Sequence, residues 1–120
     1  MRREAIWFAV TISCVVLFAP APVPAMTGAE WRRLPEPSRA AYVVGVVDAW
    51  NGFVTVQESL GTKEVAITVF GEVVSCLRDR LMPDSQIVAL VEKYAADNPG
   101  QWSHDMPEIV FASLSHDCPR

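Results

Sequence analysis

The sequence predicts an all-α domain, a small bundle of four to five helices closed by one disulfide. Three observations lead there. An N-terminal export signal sends the chain to an oxidising compartment and leaves it two cysteines, Cys76 and Cys118. Helix-start signals and helical periodicity recur from Thr27 to Ser115. Only residues 51–75 offer strand-like runs, and two strands alone make a marginal sheet.

The export signal comes first in the chain. Arg2 and Arg3 precede an apolar run, Ala5 to Ala19, interrupted only by Thr11 and Ser13. Pro20, Pro22 and Pro24 follow, and Val23-Pro24-Ala25 offers small residues for cleavage after Ala25. That order reads as a signal peptide over 1–25, with one domain over 26–120 and a periplasmic destination. A membrane anchor is the other reading, but a span needs about 20 apolar residues. This run is shorter and is broken by prolines, so no membrane association is expected after cleavage.

Cys14 leaves with the signal, and Cys76–Cys118 is then the one pairing available. Two alternatives compete: Cys118 with His116 and His104 as metal ligands, or Cys76 as a nucleophile. A structural zinc site shows close ligand pairs, and Cys76 has no ligand-type neighbour at such spacing. No metal and no cofactor are therefore expected. The bond would close a loop across 42 positions, and in the chain-entropy picture that stabilises by about 4 kcal/mol.

The elements follow in order. Thr27-Gly28-Ala29-Glu30 has the spacing of a capping box, and Trp31 and Leu34 share the face that follows. Pro35-Glu36-Pro37 interrupts, because the residue before a proline is pushed out of the helical region. Pro37 then suits the first turn of a new helix. Ala41, Tyr42, Gly45, Val46, Ala49 and Trp50 form its expected inward stripe, with Gly45 admitting close approach by another helix.

Residues 51–75 read two ways. Phe53-Val54-Thr55-Val56 and Val65 to Phe70 could be a hairpin turning at Leu60-Gly61-Thr62-Lys63. Phe53, Val56 and Leu60, then Val65, Val69, Val73 and Cys76, also fit helical faces, and helix is the preferred expectation. From Pro83 the signals sharpen. Asp84 sits in a first turn, Ile87, Leu90, Val91 and Tyr94 recur at helical spacing, and Asp97-Asn98-Pro99-Gly100 stops the helix. Gln101 to Asp105 is a loop tipped by Trp102. Pro107 opens a last helix whose buried face is Met106, Ile109, Val110, Ser113 and Leu114.

Charge and chemistry narrow the function. Removing Arg2, Arg3 and Glu4 from ten basic and fourteen acidic residues leaves eight against thirteen, a net of −5. That argues against nucleic acid, which calls for a basic stripe. His104-Asp105 and His116-Asp117 are adjacent pairs, and adjacency does not aim side chains at each other. Ser103 and Ser115 lack a nucleophile elbow, and the six glycines are too scattered for a phosphate loop. An enzyme is not expected. Trp31, Tyr42 and Trp50 read as core. Trp102 reads either as a buried structural residue or as an interface anchor. With His104 and the acidic loop residues Glu58 and Glu64 it makes the set of interface candidates.

The order Trp31-x-x-Leu34, Tyr42-Val43-x-Gly45-Val46-x-Asp48-Ala49, Cys76 ahead of an amphipathic helix, Val91-x-x-Tyr94-x-x-x-Asn98-Pro99 and a terminal Cys118 resembles the Tai/Rap immunity protein family. These are the immunity proteins of type VI secretion amidase effectors, and the resemblance spans the mature chain. The chain differs in placing Leu77-Arg78-Asp79-Arg80 between Cys76 and Pro83, and in ending His116-Asp117-Cys118-Pro119. The resemblance implies a small, exported, mainly helical protein with a disulfide, in some members a homodimer. It implies a cognate peptidoglycan amidase effector as partner, blocked by steric occlusion of its active site. The alternative is a periplasmic housekeeping or stress protein of the same fold with no toxin partner.

Overall fold

A computed structural model describes residues 23–62 and 65–118, with the side chains of 65 and 66 outside that description. The signal segment 1–22 and the interface candidate Glu64 therefore lie outside the described residues. Five α-helices follow in order: α1 Gly28–Arg32, α2 Glu36–Leu60, α3 Val65–Asp79, α4 Asp84–Asp97 and α5 Met106–Asp117. A 3₁₀ turn, Pro99–Gln101, links α4 to α5. Among the described residues there is no strand, only an isolated bridge between Thr27 and Asp105. The helical expectation for 51–75 holds, as does the all-α bundle.

Each start follows from its local chemistry. Thr27 Oγ accepts from Glu30 N, and the Glu30 carboxylate accepts from Thr27 N at 2.8 Å, which completes the expected capping box. Those Thr27 bonds, the backbone one foremost, hold the Glu30 carboxyl below the ordinary carboxylate range. Gly61 ends α2 at φ +65°, a left-handed position that costs glycine nothing. The short link to α3 lays α2 and α3 antiparallel, and Arg78 Nη2 donates to Asn51 Oδ1 at 2.8 Å between them.

α3 ends differently. Met82 N donates to the Leu77 carbonyl and Leu81 N to that of Arg78, so Leu81 occupies the position where glycine is usual. Its φ is +50° and its side chain is 87% exposed. A left-handed conformation costs an L-residue about 1–2 kcal/mol, and no packing offsets that here. Leu81→Gly should therefore raise unfolding stability by about 0.5–1 kcal/mol, part of the gain being returned as unfolded-state entropy. Urea unfolding of the two proteins checks this, and a lower midpoint for the variant contradicts it.

The core lies where α1, α2, α4 and α5 meet, and Trp31, Val43, Val91, Met106, Val110 and Leu114 are fully buried there. Trp31 Nε1–H donates to the Arg39 carbonyl at 3.2 Å. Arg39 in turn reaches the Leu34 carbonyl at 2.9 Å and Glu92 at 2.7 Å, tying α1, the turn after it and α4 together. The expected buried face of α5 is buried at all five positions. Ile87, Val91 and Ala95 carry α4 into the core, with Leu90 and Tyr94 packed beside them.

Cys76 and Cys118 are bonded, with their Cα atoms 6.0 Å apart. The bond ties α3 to the end of α5 and encloses α4 between them.

The inward stripe expected on α2 is rotated. The expected positions Tyr42, Val46 and Trp50 do face the core, but Val43 is buried and Val47 packs beside it, while Ala41, Gly45 and Ala49 are exposed. Nothing lies within 4 Å of where a Cβ on Gly45 would stand, so no helix approaches there. The cause is composition: valines and alanines surround α2 between Ala40 and Ala49, so several rotations look equally apolar. Long-range packing against Trp31 and α5 decides among them.

Candidate functional site

Two regions gather the residues of interest. The first is the seam where the start of the domain meets the loop before α5. Gly28 N donates to the His104 carbonyl at 3.0 Å, Ala29 N to the Trp102 carbonyl at 2.9 Å, and Met106 N to the Met26 carbonyl at 2.7 Å. Gly28 is buried, and a Cβ there would fall 2.4 Å from Ile109 Cδ1 and 3.2 Å from Trp102 Cα. Glycine is what lets the two backbones bond at this point.

Trp102 belongs to this seam. Its Nε1–H donates to the Ala95 carbonyl at 2.7 Å, and the Arg32 guanidinium stands 4.3 Å from the ring centroid. The indole is half-buried and engaged on both its edge and its face. Asp105, after burial, also helps raise the Tyr42 phenol above its ordinary value.

The second region is an apolar cleft of about 400 Å³ between α2, α3 and α5. It is lined by Trp50, Val69, Phe70, Pro107, Glu108 and Phe111. Its floor is an aromatic triple. Trp50 stacks on Phe70 at 5.1 Å between centroids, and Phe111 meets Trp50 edge-on at 6.1 Å and Phe70 at 5.7 Å. The rings hold one another, so the floor is pre-formed.

The apolar surface continues along α2. Phe53, Val56 and Leu60 follow Trp50 at spacings of three, three and four, and they are 56, 57 and 70% exposed. The helical reading of this segment holds, and on α2 these apolar residues face solvent. Among the described residues these three side chains of α2 stay open to solvent. The exposed ridge from Phe53 to Leu60 extends about 10 Å at the helical rise.

Glu108 lines the cleft, and His104 Nδ1 stands 3.2 Å from its Oε2, both side chains well exposed. Glu58 is exposed on α2, lining a shallow groove on the α3 side with Gln57, Thr68 and Glu72. The structure thus sets His104 against Glu108, a residue of the cleft lining, puts Glu58 in the groove between α2 and α3, and places Trp102 in the seam. Phe70, Pro107, Glu108 and Phe111 were missed as site residues. Their grouping needs three helices in contact, which no local spacing reveals.

His104 meets Glu108, and His116 Nδ1 lies 4.0 Å from Asp117. Both domain cysteines are joined to each other, and among the described residues no three His, Cys, Asp or Glu side chains gather to hold a metal. No helix among the described residues is long and apolar enough to cross a membrane. No family model matches the chain, and no curated protein or solved structure matches it either.

Proposed function

We propose that the chain is an exported binding protein of the immunity type, which occludes the active site of a peptidoglycan amidase effector without turning anything over. One observation supports a recognition role above the rest. A pre-formed aromatic cleft opens to solvent and runs into an exposed apolar ridge, Phe53, Val56 and Leu60, on a bundle closed by a disulfide. Contiguous exposed apolar surface of this kind marks interaction sites in folded proteins. The partner class comes from the order of Trp31, Tyr42, Gly45, Cys76, Tyr94, Asn98 and Cys118 along the chain. Periplasmic residence follows from the same reading, since the amidase acts on the cell wall and the bond needs oxidising surroundings.

The test mixes the mature, oxidised chain with the amidase effectors encoded in the same genome. One of them should form a submicromolar complex and lose its hydrolysis of muropeptides. Phe53→Asp, on an exposed side chain, should weaken that complex at least about tenfold with the melting temperature unchanged. Absence of any such complex removes the immunity role and leaves the housekeeping alternative.

A further inference from the structure

We infer that the seam also controls processing: once formed, it shields the Ala25–Met26 bond, so the export signal has to be removed before the N-terminal segment docks. The inference rests on the export reading and not on the identity of any partner.

The geometry divides the site at the bond to be cut. Val23, Pro24 and Ala25 are exposed, Val23 at 93%. From Met26 onward the chain is held. Met26 packs partly buried against the core, and its carbonyl accepts from Met106 N at 2.7 Å. Thr27 N donates to the Glu30 carboxylate at 2.8 Å, and Thr27 pairs with Asp105 as an isolated bridge. Gly28 N and Ala29 N donate to the His104 and Trp102 carbonyls, and Trp31 just beyond them is fully buried.

A protease takes its substrate as an extended strand and bonds main-chain groups on both sides of the bond it cuts. The groups just after that bond, the Met26 carbonyl and the Thr27 N–H, already have partners in the folded chain. Seam and peptidase therefore compete for the same atoms. Cleavage of the folded chain proceeds only through the fraction in which the seam has opened. The step itself is a hydrolysis. Water adds to the Ala25 carbonyl and the amide bond to Met26 breaks, leaving a carboxylate on Ala25 and an amine on Met26.

Sequence separation sets the order of events. The carbonyls of Trp102 and His104 lie more than seventy positions after the amides that bond them. In a chain delivered N-terminus first, that half of the seam is among the last parts of the domain to arrive. Closing so long a loop also carries its own entropic cost. The Ala25–Met26 bond is thus open to cutting while the rest of the domain arrives, and is shielded afterwards. A chain that folded first would keep its apolar leader.

The experiment uses the full chain, residues 1–120, and purified signal peptidase in detergent. The chain is diluted from urea into the enzyme either at once or after refolding and oxidation, and the products are identified by mass spectrometry. Cleavage after Ala25 should be at least about tenfold slower once the chain has refolded. Gly28→Val crowds Ile109 and Trp102 in the seam, and should speed cleavage of the refolded chain about tenfold. Glu30→Ala alters an exposed side chain but removes the acceptor of Thr27 N, and should speed it about fivefold. Circular dichroism confirms that each variant keeps its helices, and Glu30→Ala carries the test if Gly28→Val does not refold.

Equal rates before and after refolding overturn the inference, as does a refolded Glu30→Ala chain cut no faster than the native one. Either result leaves the export reading standing. A chain cut at neither time, or cut at another bond, removes the export reading and this inference with it. The expected order of cutting in a chain that blocks no amidase removes the immunity role alone.

Discussion

Replacing Cys76 and Cys118 together with alanine should lower the stability of the domain by about 4 kcal/mol. At about 4–8 °C per kcal/mol for a domain of this size, the melting temperature should fall by roughly 15–30 °C. The bond joins residues 42 apart in sequence and closes a loop that contains the whole of α4. Without it the end of α5 is held by packing alone, and the unfolded chain regains the freedom of that loop. Cys118 is 7% exposed and sits in the core cluster, so alanine also forfeits a little buried surface. The double variant is the right comparison because a single one leaves a reactive thiol. Thermal melts with and without dithiothreitol read the effect, and superimposable curves contradict it.

Trp31→Ala is the second large effect expected, a loss of about 3–5 kcal/mol. Trp31 is fully buried, and its indole carries the hydrogen bond that sets the turn into α2. The Arg39 guanidinium lies 5.7 Å from the ring, so that side chain loses a neighbour too. Two contributions can be separated. Trp31→Phe keeps most of the apolar area but removes the indole bond to the Arg39 carbonyl, which keeps its place in the α2 ladder, at a cost of about 0.5–1.5 kcal/mol. Urea unfolding should place the phenylalanine variant between the native and alanine proteins. An alanine variant within about 1 kcal/mol of native would show that α1 does not anchor the bundle.

Local signals carried far in this chain. The capping box at Thr27 and Glu30, the proline starts and the buried face of α5 were legible because each depends on neighbours within a turn. The rotation of α2 was not. Val43, Val44, Val46 and Val47 leave no polar side to point outward, so the choice passed to long-range packing against Trp31 and α5. The same ambiguity hid the ridge, since Phe53, Val56 and Leu60 look identical whether a neighbour covers them or not. Gly28 gave no warning either: its need for space arises from Trp102 and Ile109, more than seventy positions away. Trp102 sat between two readings because its hydrogen-bond partner, the Ala95 carbonyl, lies in the preceding helix.

The proposal of an exported bundle clamped by its disulfide is most directly tested by peptide mapping of the protein recovered from the periplasm. Trypsin under non-reducing, alkylating conditions should release residues 64–78 joined to residues 94–120, with an N-terminus at Met26. The two peptides appearing separately, each alkylated at its cysteine, would contradict the account.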